Sequence, residues 1–547
     1  MGVVVKKVEQ CIGSIWLVAI LFFIVEKGMA QEDARVYFTD KPNASVYLSN
    51  PLLMLSQRAL DRRLAQNIPL SVQDVPLYQP YWDTIANANG IVIKTSSKWM
   101  NCVHVRGSVS QINALANLSF VSHIEFANPT LNSKTSQQQP PFAIQKTFET
   151  TSDLPYGNSL NQIQMLSGQS LHQQNKTGFG KIIAVLDAGF PGVDTLPAFQ
   201  YLQNHGLILG GYNFVDQNTL FYSGNSHGTS VLSCMGGYVS EQLVGTAPDA
   251  FYYLYVTEDT ASENPVEESY WVAAAEAADR VGADVITSSL GYFIYDNPSY
   301  SYSYSDMTGN KAFASKGANI AFSKGIIVVV SAGNSGQSAH PHIGVPADAT
   351  HALTIGAVAA NQEYASFSSI GPSFDQRIKP DLMAQGVNAV MANLQGSIVG
   401  GNGTSFACPI MAGLLACFWQ AYPTLTNQQV VDYIKQSSDR YNSPNAQYGY
   451  GIPNFLLASN QANLSEKESK NTKFLLYYNV ENQNLNVQLF GYLAKGQITL
   501  FDVQGRLVKV LNLEQNYNQF DISDLSSGVY MYVLKNQYAL YYGKFAK

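Results

Sequence analysis

Five short runs of branched and aromatic residues constrain this chain more than any other feature of it. They are KIIAVLD (181–187), AFYYLYV (250–256), ADVITSSL (283–290), GIIVVVSAG (325–333) and HALTIGAV (351–358). A strand with one wet face alternates apolar and polar residues; near-continuous apolar runs bounded by turns mark strands buried on both faces. Helical patterns such as VEESYWVAAAEAADRVG (266–282) lie between them. The alternation predicts an α/β unit, a parallel sheet with helices on both faces. In such sheets, sites gather at the carboxyl ends of the strands. Asp187 ends its run, Ser289 nearly ends its own, and Asn334 follows VVVSAG.

The flanks differ in composition. Lys6 and Lys7 precede IWLVAILFFIV (15–25), and GMA ends at Ala30. A positive start, an apolar core and a small residue before the cut describe a secretory signal peptide over 1–30. The rival is a membrane anchor, for which the run is short against the ~20 residues of a span. No other segment is long and apolar enough to cross a bilayer, so no transmembrane segment is expected in the mature chain. Residues 31–130 read as a small α+β unit: 90–107 alternates like two strands, 108–120 has helical spacing and 121–126 returns to strand. The Gln- and Pro-rich 131–154 has linker composition. The parallel-sheet unit spans 155–458, and the polar 459–472 reads as a second linker. From 473 to 547, QITLFD, RLVKVLNL and GVYMYVLKNQYALYYGKF alternate around turns at Gln504-Gly505 and Asn536-Gln537. That pattern predicts a small all-β sandwich domain.

Composition removes some functions. Hydrophobic residues make up 46% of the chain, which argues against global disorder. A net charge of −7, with no basic run beyond the N-terminus, leaves no electrostatic footprint for a nucleic acid. Of five cysteines, Cys11 leaves with the signal and Cys102 lies in the first unit. Cys234, Cys408 and Cys417 remain, an odd number in apolar surroundings, so they read as small buried residues rather than a disulfide framework. No Cys/His spacing resembles a zinc site.

Residues 401–409, GNGTSFACP, set a serine where a small-residue turn meets an apolar helix, with Pro409 expected in its first turn. Ser405 is then either a helix-start residue or a nucleophile. The second role needs a base, an orienting acid and an oxyanion donor elsewhere. All eight histidines precede Ser405, which rules out the α/β-hydrolase order, where the histidine comes last. Position 407 is Ala, so there is no G-x-S-x-G elbow either. His227 in NSHGTSVLSCMGG (225–237) and Asp187 in IIAVLDAGF (182–190) each stand where a cap or turn residue also would. Their weight comes from occurring together, in one domain, in the order Asp, His, Ser. Cys408 is a rival nucleophile, but its helix position turns it inward and no histidine stands near it in sequence.

Over 155–458 these residues resemble the subtilisin-like serine peptidases, the subtilases, whose order this is. VLDAGF is similar to the family's aspartate motif, with Ala188 where Ser or Thr is commoner. HGTSV matches the histidine motif, and GTSFACP the serine motif, with Phe406 and Cys408 at positions that vary. TSSLG (287–291) resembles the strand that pairs with substrate, and SAGNSG (331–336) the segment carrying the oxyanion asparagine. The resemblance implies a secreted serine endopeptidase with Asp187, His227 and Ser405 as its triad. The Asn334 side chain and the Ser405 N–H would form the oxyanion hole, and Ser289, Leu290 and Gly291 would pair with an extended protein or peptide substrate. No cofactor is expected and no metal ligand is assigned; family members often bind calcium, but no ligand set is assignable here.

The segment 90–126 is similar to the subtilase propeptide, which assists folding and inhibits the enzyme until cleaved, somewhere around 127–155 here. ITLFDVQGRLV, DLSSGVYMYVL and the ending KFAK resemble the sorting domains of type IX secretion substrates. That implies the type IX machinery as a partner and a secreted or cell-surface location; a carbohydrate- or protein-binding β-sandwich is the rival reading of the tail. Beside the endopeptidase stand a catalytically inactive surface protein that binds peptides on the same fold, and an esterase. The tyrosines of 292–310 either line a cleft or coat a loop.

Overall fold

The computed structural model describes residues 31–132, 154–471, 474–480, 482–489, 496–535 and 540–547. The expected signal peptide, nearly all of the first linker and the turn at Asn536-Gln537 lie outside the described residues. The chain divides into two compact units, one running to Ala458 and the other Ser459–Lys547.

The first unit opens with strand β1 (Gln31–Phe38), helix α1 (Gln57–Ala65), β2 (Val92–Ser97), β3 (Cys102–Ser108), α2 (Val109–Ala114) and β4 (Val121–Phe126). The strands form an antiparallel sheet in the order β2-β3-β1-β4. The strand–helix–strand run expected at 90–126 is present. Unforeseen was β1, an inner strand of that sheet. Its sequence QEDARVYF carries Asp33 and Arg35, which break the apolar period yet are both buried. They face partners instead of water: Asp33 holds His104 and Arg106, and Arg35 donates to Ser269 Oγ and the Pro265 carbonyl.

Seven parallel strands follow: β5 (Ile182–Asp187), β6 (Ile208–Asn213), β7 (Phe251–Val256), β8 (Val285–Ser288), β9 (Ile327–Ser331), β10 (Leu353–Val358) and β11 (Leu382–Gln385). Their order is β11-β10-β9-β8-β5-β7-β6. All five runs recognised in the sequence are strands. The two missed strands are the sheet's edges. In β6, ILGGYN, a glycine pair interrupts the apolar run, and β11, LMAQ, has no β-branched residue.

Helices α3 (His227–Gly236), α4 (Val266–Val281), α5 (Phe313–Ser323), α6 (Thr404–Ala421) and α7 (Asn427–Gln436) cover the sheet. Ala184, Leu186, Ile286 and Val330 share one core with Trp271 of α4 and Phe313 of α5. Helix α6 packs on β8, β9 and β10. By length and composition α6 could cross a membrane, but 89% of its apolar window is buried inside the fold. The helix begins at Thr404, so Pro409 stands in its second turn rather than its first. The tyrosines after Gly291 turn mostly inward: Tyr292, Tyr295 and Tyr300 are buried, and Tyr295 and Tyr302 both donate to Glu268.

The second unit holds two antiparallel sheets. One contains Phe474–Asn479, Asn484–Leu489 and Tyr517–Asp521; the other Gly496–Phe501, Leu507–Leu513, Val529–Lys535 and Leu540–Ala546. Leu485 and Val487 of the first share a core with Ile498, Leu500 and Tyr530 of the second, which makes a sandwich. The polar stretch read as a linker is helical for most of its length, within α8 (Phe455–Asn471). Low hydrophobicity marked the segment, but Ala, Gln, Glu and Lys are good helix formers, so polarity alone did not give its backbone.

Candidate active site

Asp187 is the last residue of β5 and is fully buried. The backbone N–H of Ala188 donates to its Oδ1 at 2.8 Å, and His227 Nδ1 meets the same oxygen at 2.7 Å. His227 opens helix α3, where Asn225 Oδ1 accepts its backbone N–H. Gly228 allows the close approach: a Cβ there would stand 2.4 Å from Gly189 O and 2.9 Å from Asp187 Cβ. The buried carboxylate's charge raises the His227 imidazole above its ordinary value of 6.5, against the opposing effect of burial.

Ser405 is the second residue of α6, in the turn whose N–H groups have no intrahelical partner. Its hydroxyl lies 3.5 Å from the Ser289 carbonyl. No hydrogen bond joins Ser405 to His227 among the described residues; the imidazole ring lies 6.2 Å from that of Phe406, the next residue along. Asn334 Oδ1 accepts from both the N–H (2.9 Å) and the hydroxyl (3.0 Å) of Thr404, which turns the Asn334 amide nitrogen the other way. A Cβ built on Gly403 would stand 3.6 Å from Asn334 Nδ2 and 3.6 Å from Ser405 N. Both nitrogens expected as oxyanion donors therefore lie close to Gly403. That Thr404 orients Asn334 was not foreseen; the sequence offered it only as a helix-start residue beside Ser405.

Ser289, Leu290 and Gly291 continue beyond the end of β8, and Tyr292 then pairs with Val345 through hydrogen bonds of 2.7 and 3.0 Å. Ser289 has a side-chain role that the sequence reading missed. Pro409 has no N–H to return to the Ser405 carbonyl four residues earlier. Ser289 Oγ donates to that carbonyl at 2.9 Å. Ser289→Ala is expected to cost about 1–3 kcal/mol of stability through the unsatisfied buried acceptor. Denaturant unfolding of the variant against wild type checks this.

Cys408, the rival nucleophile, is fully buried: burial pushes its thiol up to about 12, and its sulfur lies against Thr287 Oγ1 and the Ser288 carbonyl. Cys102, Cys234 and Cys417 are likewise buried and free.

One acidic convergence was not foreseen. Carboxylate oxygens of Glu258, Glu263 and Glu267 lie within 4.8 Å of one another. Glu258 bonds the Tyr292 hydroxyl, while both Glu267 oxygens already accept backbone N–H groups, from Asp259 and Asn264. Burial, reinforced by the neighbouring carboxylates, pushes Glu258 well up and Glu267 to about 8. A carboxyl raised in the fold stabilises it below the unfolded value and loses that contribution as pH rises through the folded one. Thermal unfolding from about pH 5 to about pH 9 is therefore expected to show falling stability, and Glu263→Gln, which removes one repelling charge, to lessen the fall.

The Subtilase family profile matches residues 178–451. The Peptidase S8 propeptide domain of Bacteroidota matches 33–141, and a secretion system C-terminal sorting domain matches 476–546. Subtilisin NAT of Bacillus subtilis subsp. natto is 32% identical over 315 residues, 57% of this chain and 72% of that protein. Subtilisin of Bacillus pumilus is 32% identical over 311 residues, covering 56% of this chain and 98% of its own. Among solved structures, the prenylagaramide maturation protease PagA aligns with 54% of this chain and 98% of its own, at 21% identity and a TM-score of 0.43.

Proposed function

This chain belongs to the subtilase family, and from that premise we propose that Asp187, His227 and Ser405 are its catalytic triad and Asn334 its side-chain oxyanion donor. It is a serine endopeptidase with a propeptide, made as a zymogen, and its C-terminal sorting domain directs it out of the cell or to the cell surface. In the proposed reaction, His227 Nε2 takes the proton of Ser405 as Oγ attacks the scissile carbonyl, and returns it to the leaving amine. To meet the imidazole, Oγ must turn about χ1 away from Ser289 O. Asp187 holds Nδ1 and stabilises the imidazolium. The oxyanion settles between Asn334 Nδ2 and the Ser405 N–H, at the N-terminal end of α6, where the helix dipole favours negative charge. The extended substrate pairs with Ser289, Leu290 and Gly291, and the type IX machinery exports the chain.

The observation that carries this reading is the 2.7 Å contact of His227 Nδ1 with the buried Asp187, in a chain that also sets Asn334 Nδ2 and Ser405 N close to Gly403. Asn334→Ala is expected to keep the fold and lose about 10²–10³ in turnover on casein. Full turnover in that variant contradicts the assignment. Activity confined to short-chain esters would favour the esterase reading.

A further inference from the structure

We propose that residues 56–74 form a second anchor, through which the propeptide stays bound after the segment around 127–155 is cut, at a place remote from the proposed triad. The inference rests on the zymogen reading and adds to it a specific surface on the enzyme and the basic helix that fits it.

Helix α1 belongs to an arm between β1 and β2 with its own small core of Met54, Leu55, Ala59 and Val75, separate from the core of the four-stranded sheet. The arm meets the enzyme at the C-terminal end of α4. Arg58 Nε donates to the Gly282 carbonyl at 3.0 Å and Arg62 Nη1 to that of Ala283 at 2.6 Å. Asp279, fully buried, receives Arg62 at 2.5 Å and both its oxygens accept from Arg63, at 2.9 and 2.7 Å. The end of α5 is met in the same way: Arg62 Nε donates to Lys324 O at 3.2 Å and Gln66 Nε2 to Gly325 O at 2.9 Å. The arm's Asp74 pairs with Lys324 at 3.1 Å.

Helix C-termini leave carbonyls without partners and carry the negative end of the dipole. Here one propeptide helix, with three arginines, supplies donors and positive charge to two such ends at once. The enzyme's backbone is shaped for it. Gly282 has φ 84°, and a Cβ on it would stand 2.9 Å from the Ala59 backbone nitrogen.

The position matters. Gly282–Asp284 lead into β8, and Lys324 and Gly325 into β9. The anchor therefore sits at the amino ends of the strands whose carboxyl ends lead to Ser289 and Asn334; from Asp284 to Ser289 the run spans about 16 Å at 3.3 Å per residue. Substrate entering the cleft cannot displace it. After the cut, the β-sheet of the propeptide, held through Arg35 on Ser269 and Pro265 and through Ser97 on Glu276, and the arm remain one piece, so losing one contact does not free the other.

The full-length chain tests this. The cut is followed on denaturing gels and activity on a chromogenic peptide; the interval between them is the residence time of the cut propeptide. Wild type is expected to show a measurable interval. Truncating a buried, hydrogen-bonded charge pair acts on the off-rate, so Arg62→Ala/Arg63→Ala should shorten the interval by roughly 30-fold or more. Should that chain fail to fold and be cut, Arg58→Ala decides: its side chain is 40% exposed, it touches the enzyme at Gly180, Gly282 and Asp284, and several-fold shortening is expected. Cutting at the normal rate with an unchanged interval overturns the anchor and leaves the zymogen reading standing. A wild type that is fully active before any cut overturns both.

Discussion

Ser405→Ala is expected to lower turnover on peptide substrates by about 10⁶ while leaving the fold in place. The hydroxyl does little structural work. Its recorded contact is a 3.5 Å approach to the Ser289 carbonyl, and the helix that carries it is fixed by the burial of Phe406, Ala407 and the residues beyond. The side chain's value lies in where it stands, in the first turn of α6, with the Asn334 amide nitrogen and its own backbone nitrogen both near Gly403. Losing Oγ removes the nucleophile, and water held in its place is a far poorer one. What remains, from oxyanion donors and substrate binding alone, is about 10³–10⁴ over the uncatalysed reaction. Steady-state hydrolysis of a chromogenic peptide checks this; turnover within tenfold of wild type would mean that another group attacks.

Asp187→Asn is expected to cost about 10⁴ in kcat near neutral pH, because an amide presents His227 with the wrong tautomer and no charge. A second consequence can be read from the pH profile. Asp187's charge, the largest influence on His227, raises the imidazole above 6.5. As a stability term, that pairing is fully present below the unfolded value and is lost as pH rises through the folded one. Catalysis runs the other way, since the base must be neutral: kcat/KM should rise with pH through a value above 6.5. In Asp187→Asn the source of the upward shift is gone, so the acid limb of the residual activity should move to lower pH. An acid limb that does not move would separate His227 from Asp187.

The parts legible in the sequence were those where a local pattern carries its own physics. The five inner strands announced themselves because a strand buried on both faces must be apolar throughout, and the candidate site residues because they stand at or just beyond the ends of those strands or in the first turn of a helix. What was missed depended on partners distant in sequence. Asp33 and Arg35 look like surface residues until Ser269 and His104 come against them. The edge strand β6 is broken by glycines, and Gly211 is required there because a Cβ would stand 2.1 Å from Leu254 O. Ser289 donating to the carbonyl freed by Pro409 joins residues far apart in the chain, and no motif spacing announces it. The arm at 56–74 went unread for the same reason: its arginines look solvated in sequence, and their partners are helix ends more than two hundred residues away.

The most direct measurement is covalent labelling by a serine-directed phosphonate, read by mass spectrometry of the processed enzyme. The account predicts one equivalent bound at Ser405, no labelling of Ser405→Ala, and much slower labelling once His227 is replaced by Ala. An unlabelled wild type that still binds peptides would contradict it, and would make this fold a peptide-binding surface instead of a peptidase.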